Sequence, residues 1–361
     1  MRSETVCSDE SEAVSISFSF LLGGQPMNRS KSTGSSKRRL GVVLLGFAAA
    51  GSLLLTAHQS RAAMLASDNA ANYSATASAA NLWPNGASTA NGGQGFGAWT
   101  FNNQNPGSSY AGEYLAIPSY VWPTSENIAS GGGYLWGIYS GGQSTGNVPS
   151  AAAYRAFENT AGTGLGTLRS GQTFSVAASV RTNNSALGIG TTGQGSTPAS
   201  VGISLLTFGS TANTPVWSVN FSELPANTGA NTTSSTALET SITDASGTQN
   251  YIQGLSANAL SINGLIGGVN LAFSLGASNT YSFTISPATG NTSLSSSLTY
   301  TGSINGVING AGLMDSMSAD DAIFNNMALT ATTATPEPAS VALLGLALGA
   351  GLVMRRKYVG R

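Results

Sequence analysis

Few residue types with catalytic or metal-binding chemistry occur between Ala63 and Thr335. The only histidine, His58, and the only cysteine, Cys7, precede this span, and no lysine falls inside it. A Ser-His-Asp triad, a Cys-His pair, a Schiff-base lysine and a zinc site built on His or Cys are therefore unavailable. No GxxxxGK[ST] phosphate loop or Cys-His heme-attachment motif is present. What remains is carboxylates. Paired acids suffice for glycoside hydrolysis, and carboxylates with carbonyl oxygens suit Ca²⁺. The closest grouping is Asp315, Asp320 and Asp321, which we take as the candidate Ca²⁺ ligands. Asp320 and Asp321 are adjacent, so on a strand their side chains point to opposite faces. We expect no catalytic residue, no cofactor and no enzymatic activity.

The charge distribution excludes a further class. The span Ala63–Thr335 holds three arginines (Arg155, Arg169, Arg181) and ten acids, a formal charge of −7. There is no basic stripe, so no nucleic-acid partner is expected. Only 8% of all residues are charged, while 41% are hydrophobic. Disordered chains combine low hydrophobicity with high net charge, so a folded domain rich in turns fits better. Trp99, Trp136 and Trp217 read as core residues. Trp83 and Trp122, beside prolines, read as contact surfaces. Arg155 reads as pairing with Glu158 or another acid.

The elements that must position these residues are strands. Short apolar-alternating runs recur between turn residues: "FGAWTF" (96–101), "YLWGIY" (134–139), "TFSVAASVR" (173–181), "VGISLLTF" (201–208), "VWSVNF" (216–221), "VNLAFSLG" (269–276), "TYSFTIS" (280–286), "SLTYTG" (297–302) and "AIFNNMAL" (322–329). In "TYSFTIS", Tyr281, Phe283 and Ile285 fall on one face and hydroxyl residues on the other, the period-2 signature of a half-buried strand. In "SGQTFSV" (170–176), Gly171 predicts a turn and Phe174 and Val176 core positions. No long helical stripe competes. An all-β sandwich is expected over 96–330. Residues 63–95 read as an irregular lead-in or a source of one edge strand, and the polar stretch 226–262 as an insertion or long loop.

The two ends read as targeting segments. From Met27 a basic region (Arg29, Lys31, Lys37, Arg38, Arg39) precedes an apolar stretch from Leu40 to about Ala57, followed by small residues. This is the layout of a signal peptide over 27–62, cut after Ala62 or, second, after Ala63. Signal peptidase and the Sec translocon are the partners it implies. Residues 1–26 fit none of this, and translation is expected to start at Met27. At the other end, a linker (331–335) leads to Pro336-Glu337-Pro338. Sixteen uncharged residues (339–354) and the basic cluster Arg355, Arg356 and Lys357 follow. Such a run covers roughly 24 Å as a helix, short of a hydrocarbon core about 30 Å thick. It suits temporary retention, with the basic cluster staying cytoplasmic and the domain facing outward. Two prolines keep helix and sheet from running through the tripeptide.

Residues 336–357, with Pro-Glu-Pro, a short span and Arg-Arg-Lys in order, resemble the PEP-CTERM sorting signal of Gram-negative bacteria. The resemblance implies recognition and cutting near the tripeptide by exosortase, a membrane-embedded processing enzyme. It also implies delivery to the surface or exopolysaccharide matrix. "GFGAWTF", "GGGYLWGIYS", "AYRAF", "LRSGQTFSV", "YSFTISPATG" and "DDAIFNNMAL" resemble the concanavalin-like jelly-roll domain often joined to such tails. That fold implies at most a bias toward glycans, because fold does not fix function. The Glu-x-Asp-x-x-Glu acids of concanavalin-like glycanases are absent. The readings in order are a non-enzymatic, exported surface or biofilm-matrix protein with exopolysaccharide as a further partner; a carbohydrate-binding module, with or without Ca²⁺; and, more distantly, a glycoside hydrolase.

Overall fold

The computed structural model describes residues 62–73, 93–116, 127–129, 134–141, 148–159, 166–181, 200–209, 213–224, 237–316 and 321–332. All lie within one unit of the chain, Gln59–Ala339. Residues 27–61 of the expected signal peptide, the tail from Pro336, Trp83, Trp122 and Asp320 lie outside the described residues, whereas the expected cleavage positions Ala62 and Ala63 lie within them.

Among the described residues, fifteen strands form two antiparallel sheets. The first sheet contains β1 (Ala63–Asp68), β3 (Tyr110–Ala116), β4 (Leu135–Gly141), β6 (Gln172–Arg181), β11 (Val269–Leu275), β12 (Thr280–Pro287), β13 (Leu298–Ser303) and β15 (Asp321–Ala331). Its order is β13-β12-β11-β6-β15-β4-β3, with β1 joined to β15. The second sheet contains β2 (Thr100–Gln104), β5 (Ser150–Ala156), β7 (Ser200–Thr207), β8 (Thr214–Leu224), β9 (Ala237–Asp244), β10 (Gly247–Ile252) and β14 (Gly310–Ser316). Its order is β10-β9-β8-β7-β14-β5-β2. The domain is the all-β sandwich that the alternating sequence predicts.

The sheets meet through alternate residues. Phe174 and Val176 of β6, Leu271 and Phe273 of β11, and Tyr281, Phe283 and Ile285 of β12 are buried together. Facing them are Val201, Ile203 and Leu205 of β7, and Trp217, Val219 and Phe221 of β8. The Trp217 ring centroid lies 4.9 Å from that of Phe273 and 4.8 Å from that of Phe283, a contact between the two sheets. Trp99 and Trp136 are also buried, so all three tryptophans read as core residues are core. Gly171 supplies the turn before β6 with φ +80°, a conformation a side chain disfavours.

Several local readings change. The lead-in supplies a strand, β1, paired with β15 from Ala63↔Ala331 to Asp68↔Met327. The stretch 226–262 is not one long loop, because β9 and β10 form a hairpin within it. The inward residues Leu238, Thr240 and Ile242 of β9 do alternate, but Thr240 dilutes the apolar signal. The run at 96–101 becomes strand only from Thr100; Phe96 makes an isolated bridge to Phe157. β15 is interrupted by a bulge between Asn325 and Ala328, where Asn326 has φ +53°. The Asn325 side chain serves this irregularity. Its Oδ1 accepts from the Ala70 N–H at 2.9 Å, and its Nδ2 donates to the Ile128 carbonyl at 3.0 Å.

Candidate functional site

Buried charge is the first place to look for a site, because an ion removed from water needs a partner. Arg155 projects inward from β5 and is fully buried. Its partner is Asp68, the last residue of β1, and not Glu158. The guanidinium also donates from Nε to the Gly97 carbonyl at 2.8 Å. It lies 5.0 Å from the Phe96 ring centroid and 4.7 Å from that of Trp99, favourable cation–π positions. Tyr73 donates its hydroxyl to Asp68 Oδ2 at 2.6 Å and accepts from Trp99 Nε1 at 2.8 Å. Asn72 Nδ2 donates to the other Asp68 oxygen at 3.0 Å. Burial pushes the Tyr73 hydroxyl well above the usual tyrosine range; Arg155 opposes that shift and Asp68 adds to it. The phenol therefore stays neutral and keeps its proton for Asp68. The cluster ties β1 and Tyr73 to the sandwich.

The acids singled out as Ca²⁺ candidates separate. Asp315 sits on β14, on the same side as buried Ala311 and Leu313, and accepts a hydrogen bond from Ser140 Oγ between the sheets. Asp321 opens β15 beside inward-facing Ala322, so it points to the outer face, where the Tyr114 hydroxyl donates to it. Among the described residues no group of three or more His, Cys, Asp or Glu is placed to hold a metal ion. Glu223 is likewise buried, at the end of β8. Glu113 on β3 accepts from Asn103 Nδ2 at 3.0 Å, and burial raises its carboxyl above the usual range, partly offset by that bond.

A feature that the sequence reading missed lies on the outer face of β3 and β4. The register pairs Tyr110 with Gly141, Gly112 with Tyr139, and Tyr114 with Gly137. Each tyrosine lies over the glycine opposite, and a Cβ on any of the three would collide with the ring. The rings form a ladder, with centroids 6.2 Å apart from Tyr110 to Tyr139 and 6.0 Å from Tyr139 to Tyr114. Tyr110 at its end is 54% exposed. The signal was present as Tyr-x-Gly-x-Tyr in one strand and Gly-x-Tyr-x-Gly in the next, but it becomes legible only once the two are paired.

The last described residue is Thr332, just past β15. Its N–H and its hydroxyl both donate to the Gly171 carbonyl, at 3.0 and 2.8 Å. Pro336-Glu337-Pro338 begins four residues further along the sequence. Residues 334–357 match the PEP-CTERM protein-sorting motif. The chain is thus an exported protein, transiently anchored in the membrane and processed there by exosortase. The motif covers the tail alone and says nothing of the sandwich. No described helix is long and apolar enough to cross a membrane; the expected span at 339–354 lies outside the described residues.

No curated protein matches the chain. Among solved structures it is similar to the VIP36 exoplasmic/lumenal domain in its Ca²⁺/Man3GlcNAc-bound form. That pair shares 7% identity, covers 68% of this chain and 87% of the other, and has a TM-score of 0.36. The Ca²⁺-bound form of the same domain gives 7% identity, coverage of 70% and 88%, and a TM-score of 0.38. The T. cruzi calreticulin globular domain gives 10% identity, coverage of 63% and 83%, and a TM-score of 0.33. At these values the likeness assigns no ligand.

Proposed function

We propose that the PEP-CTERM-tailed sandwich is a non-enzymatic protein of the cell surface or extracellular matrix, released from the membrane by cutting near Pro336-Glu337-Pro338. The sorting motif at 334–357, beginning three residues after the end of β15, carries this reading. The low charge and abundant hydroxyl and amide side chains support it, since such a surface suits contact with hydrated polymer. Glu337→Ala is the direct test. The variant is expected to accumulate as a longer, membrane-retained form by immunoblotting of cell fractions, whereas processing at the wild-type rate would overturn the sorting assignment.

The second reading is carbohydrate binding. The exposed Tyr110 ring at the end of the tyrosine ladder favours it, because aromatic rings combine an apolar body with a polar tip. A glycan array probed with and without chelator tests it. Binding to no sugar removes this reading; binding abolished by chelator adds Ca²⁺ to it.

A further inference from the structure

We propose that the end of the sandwich from which the tail emerges rests on the lipid surface while the protein is anchored, through Met64, Leu65 and Val307. The proposal rests on the sorting reading above. It begins with topology. Ala63 pairs with Ala331, Ala331 with Gln172, and Gln172 with Leu275, so these strand ends share one end of the domain. Leu168 N–H donates to the Ile308 carbonyl, and Thr207 Oγ1 donates to the Val307 carbonyl, which brings the loop before β14 to the same end. Thr332, bound to Gly171, leaves from there.

Exposed apolar side chains concentrate at this end. Of the large hydrophobic residues exposed among the described ones, Met64 (62%), Leu65 (39%) and Val307 (55%) lie there, while Leu255 (64%) and Tyr110 (54%) lie at the opposite end. A local cause is visible in β1. The register shifts between Met64 and Ala66, a bulge that leaves Leu65 without a partner. Two consecutive residues are therefore exposed where a regular strand would turn one inward. Arg169, exposed in the turn that receives Thr332, adds a cation for anionic headgroups. The acids at this end, Asp244 and Glu158, are half-buried, and Asp244 accepts from the Tyr281 hydroxyl at 2.9 Å and the Ser246 N–H at 2.7 Å.

The tether selects the occupant. From Thr332 to the apolar run starting at Ala339 the chain can reach at most about 25 Å, so the anchored domain cannot leave the bilayer surface. A short tether gives a second contact a high effective concentration, so a small apolar patch is enough to seat the domain. Cutting the tail removes that advantage, and the patch alone no longer holds the protein.

The test uses the processed chain, Ala63 to Arg361, which holds no cysteine, with a single new one, Met64→Cys, Val307→Cys or Leu255→Cys. Each variant carries a fluorophore and is reconstituted into phosphatidylethanolamine/phosphatidylglycerol vesicles containing a nitroxide-lipid quencher. Labels at positions 64 and 307, seated in the interface, are expected to be quenched on the order of threefold more than the label at 255. Equal quenching at all three positions, in protein that floats with the vesicles, overturns the docking and leaves the anchoring intact. Protein that fails to float overturns the anchoring, and the docking with it.

Discussion

At the scale of single residues, one buried ion pair stands out among the described residues. Asp68 and Arg155 are both buried, and removing one partner strands the other's charge. Asp68→Ala is expected to cost about 3–5 kcal/mol in urea unfolding. Asp68→Ala with Arg155→Met should cost less than Asp68→Ala alone, because no guanidinium is left uncompensated. Equal losses would show that the guanidinium is not stranded in the single variant. The sequence identified Arg155 as a pairing residue but not its partner. Asp68 lies 87 positions away, and the β1–β15 pairing with the Ser67↔Gln94 and Phe96↔Phe157 bridges brings it to β5. The same limit applies to the acids. Adjacency in sequence suggested a Ca²⁺ cluster, yet Asp315 and Asp321 belong to opposite sheets and face different environments.

At the scale of elements, legibility followed the contrast between faces. β6, β11 and β12 were readable because large apolar residues alternate with hydroxyl residues. β5 (Ser150–Ala156) and β14 (Gly310–Ser316) were not, because their inward positions include Ala151, Ala153 and Ala311, which carry little hydrophobic contrast. β10 was hidden for another reason: it is an edge strand, mostly exposed, and needs no apolar face. The β3–β4 pair depends on its glycines. Gly137→Ala would drive a methyl group into the Tyr114 ring and displace the hydroxyl bound to Asp321. A loss of about 1–3 kcal/mol is expected, as for other overpacked sites. Thermal unfolding measures it, and an unchanged midpoint would show that the ladder is loose enough to absorb the methyl.

At the scale of the whole molecule, the two functional statements separate along the chain. The sorting address is contiguous in sequence and was read directly from residues 336–357. The sandwich is built from pairings across nearly the full length of the domain, and no single motif in it assigns a ligand. Because β15 ends at Ala331, ahead of the motif, processing should not disturb the fold. The membrane-retained Glu337→Ala precursor is therefore expected to give the same protease-resistant core as the released protein; a shorter or absent core would show that the tail is needed for folding.

The position of β15 also sets a timetable for export. It is the last described strand, yet it occupies the middle of its sheet, between β6 on one side and β4 and β1 on the other. Until it emerges, the β3–β4 pair and β1 have no place in that sheet. Long-range pairing of this kind is slow to form, and a chain delivered from its N-terminus must wait for the final segment. That sheet therefore cannot close until nearly all of the domain has been delivered, and its closing strand ends just ahead of the sorting motif.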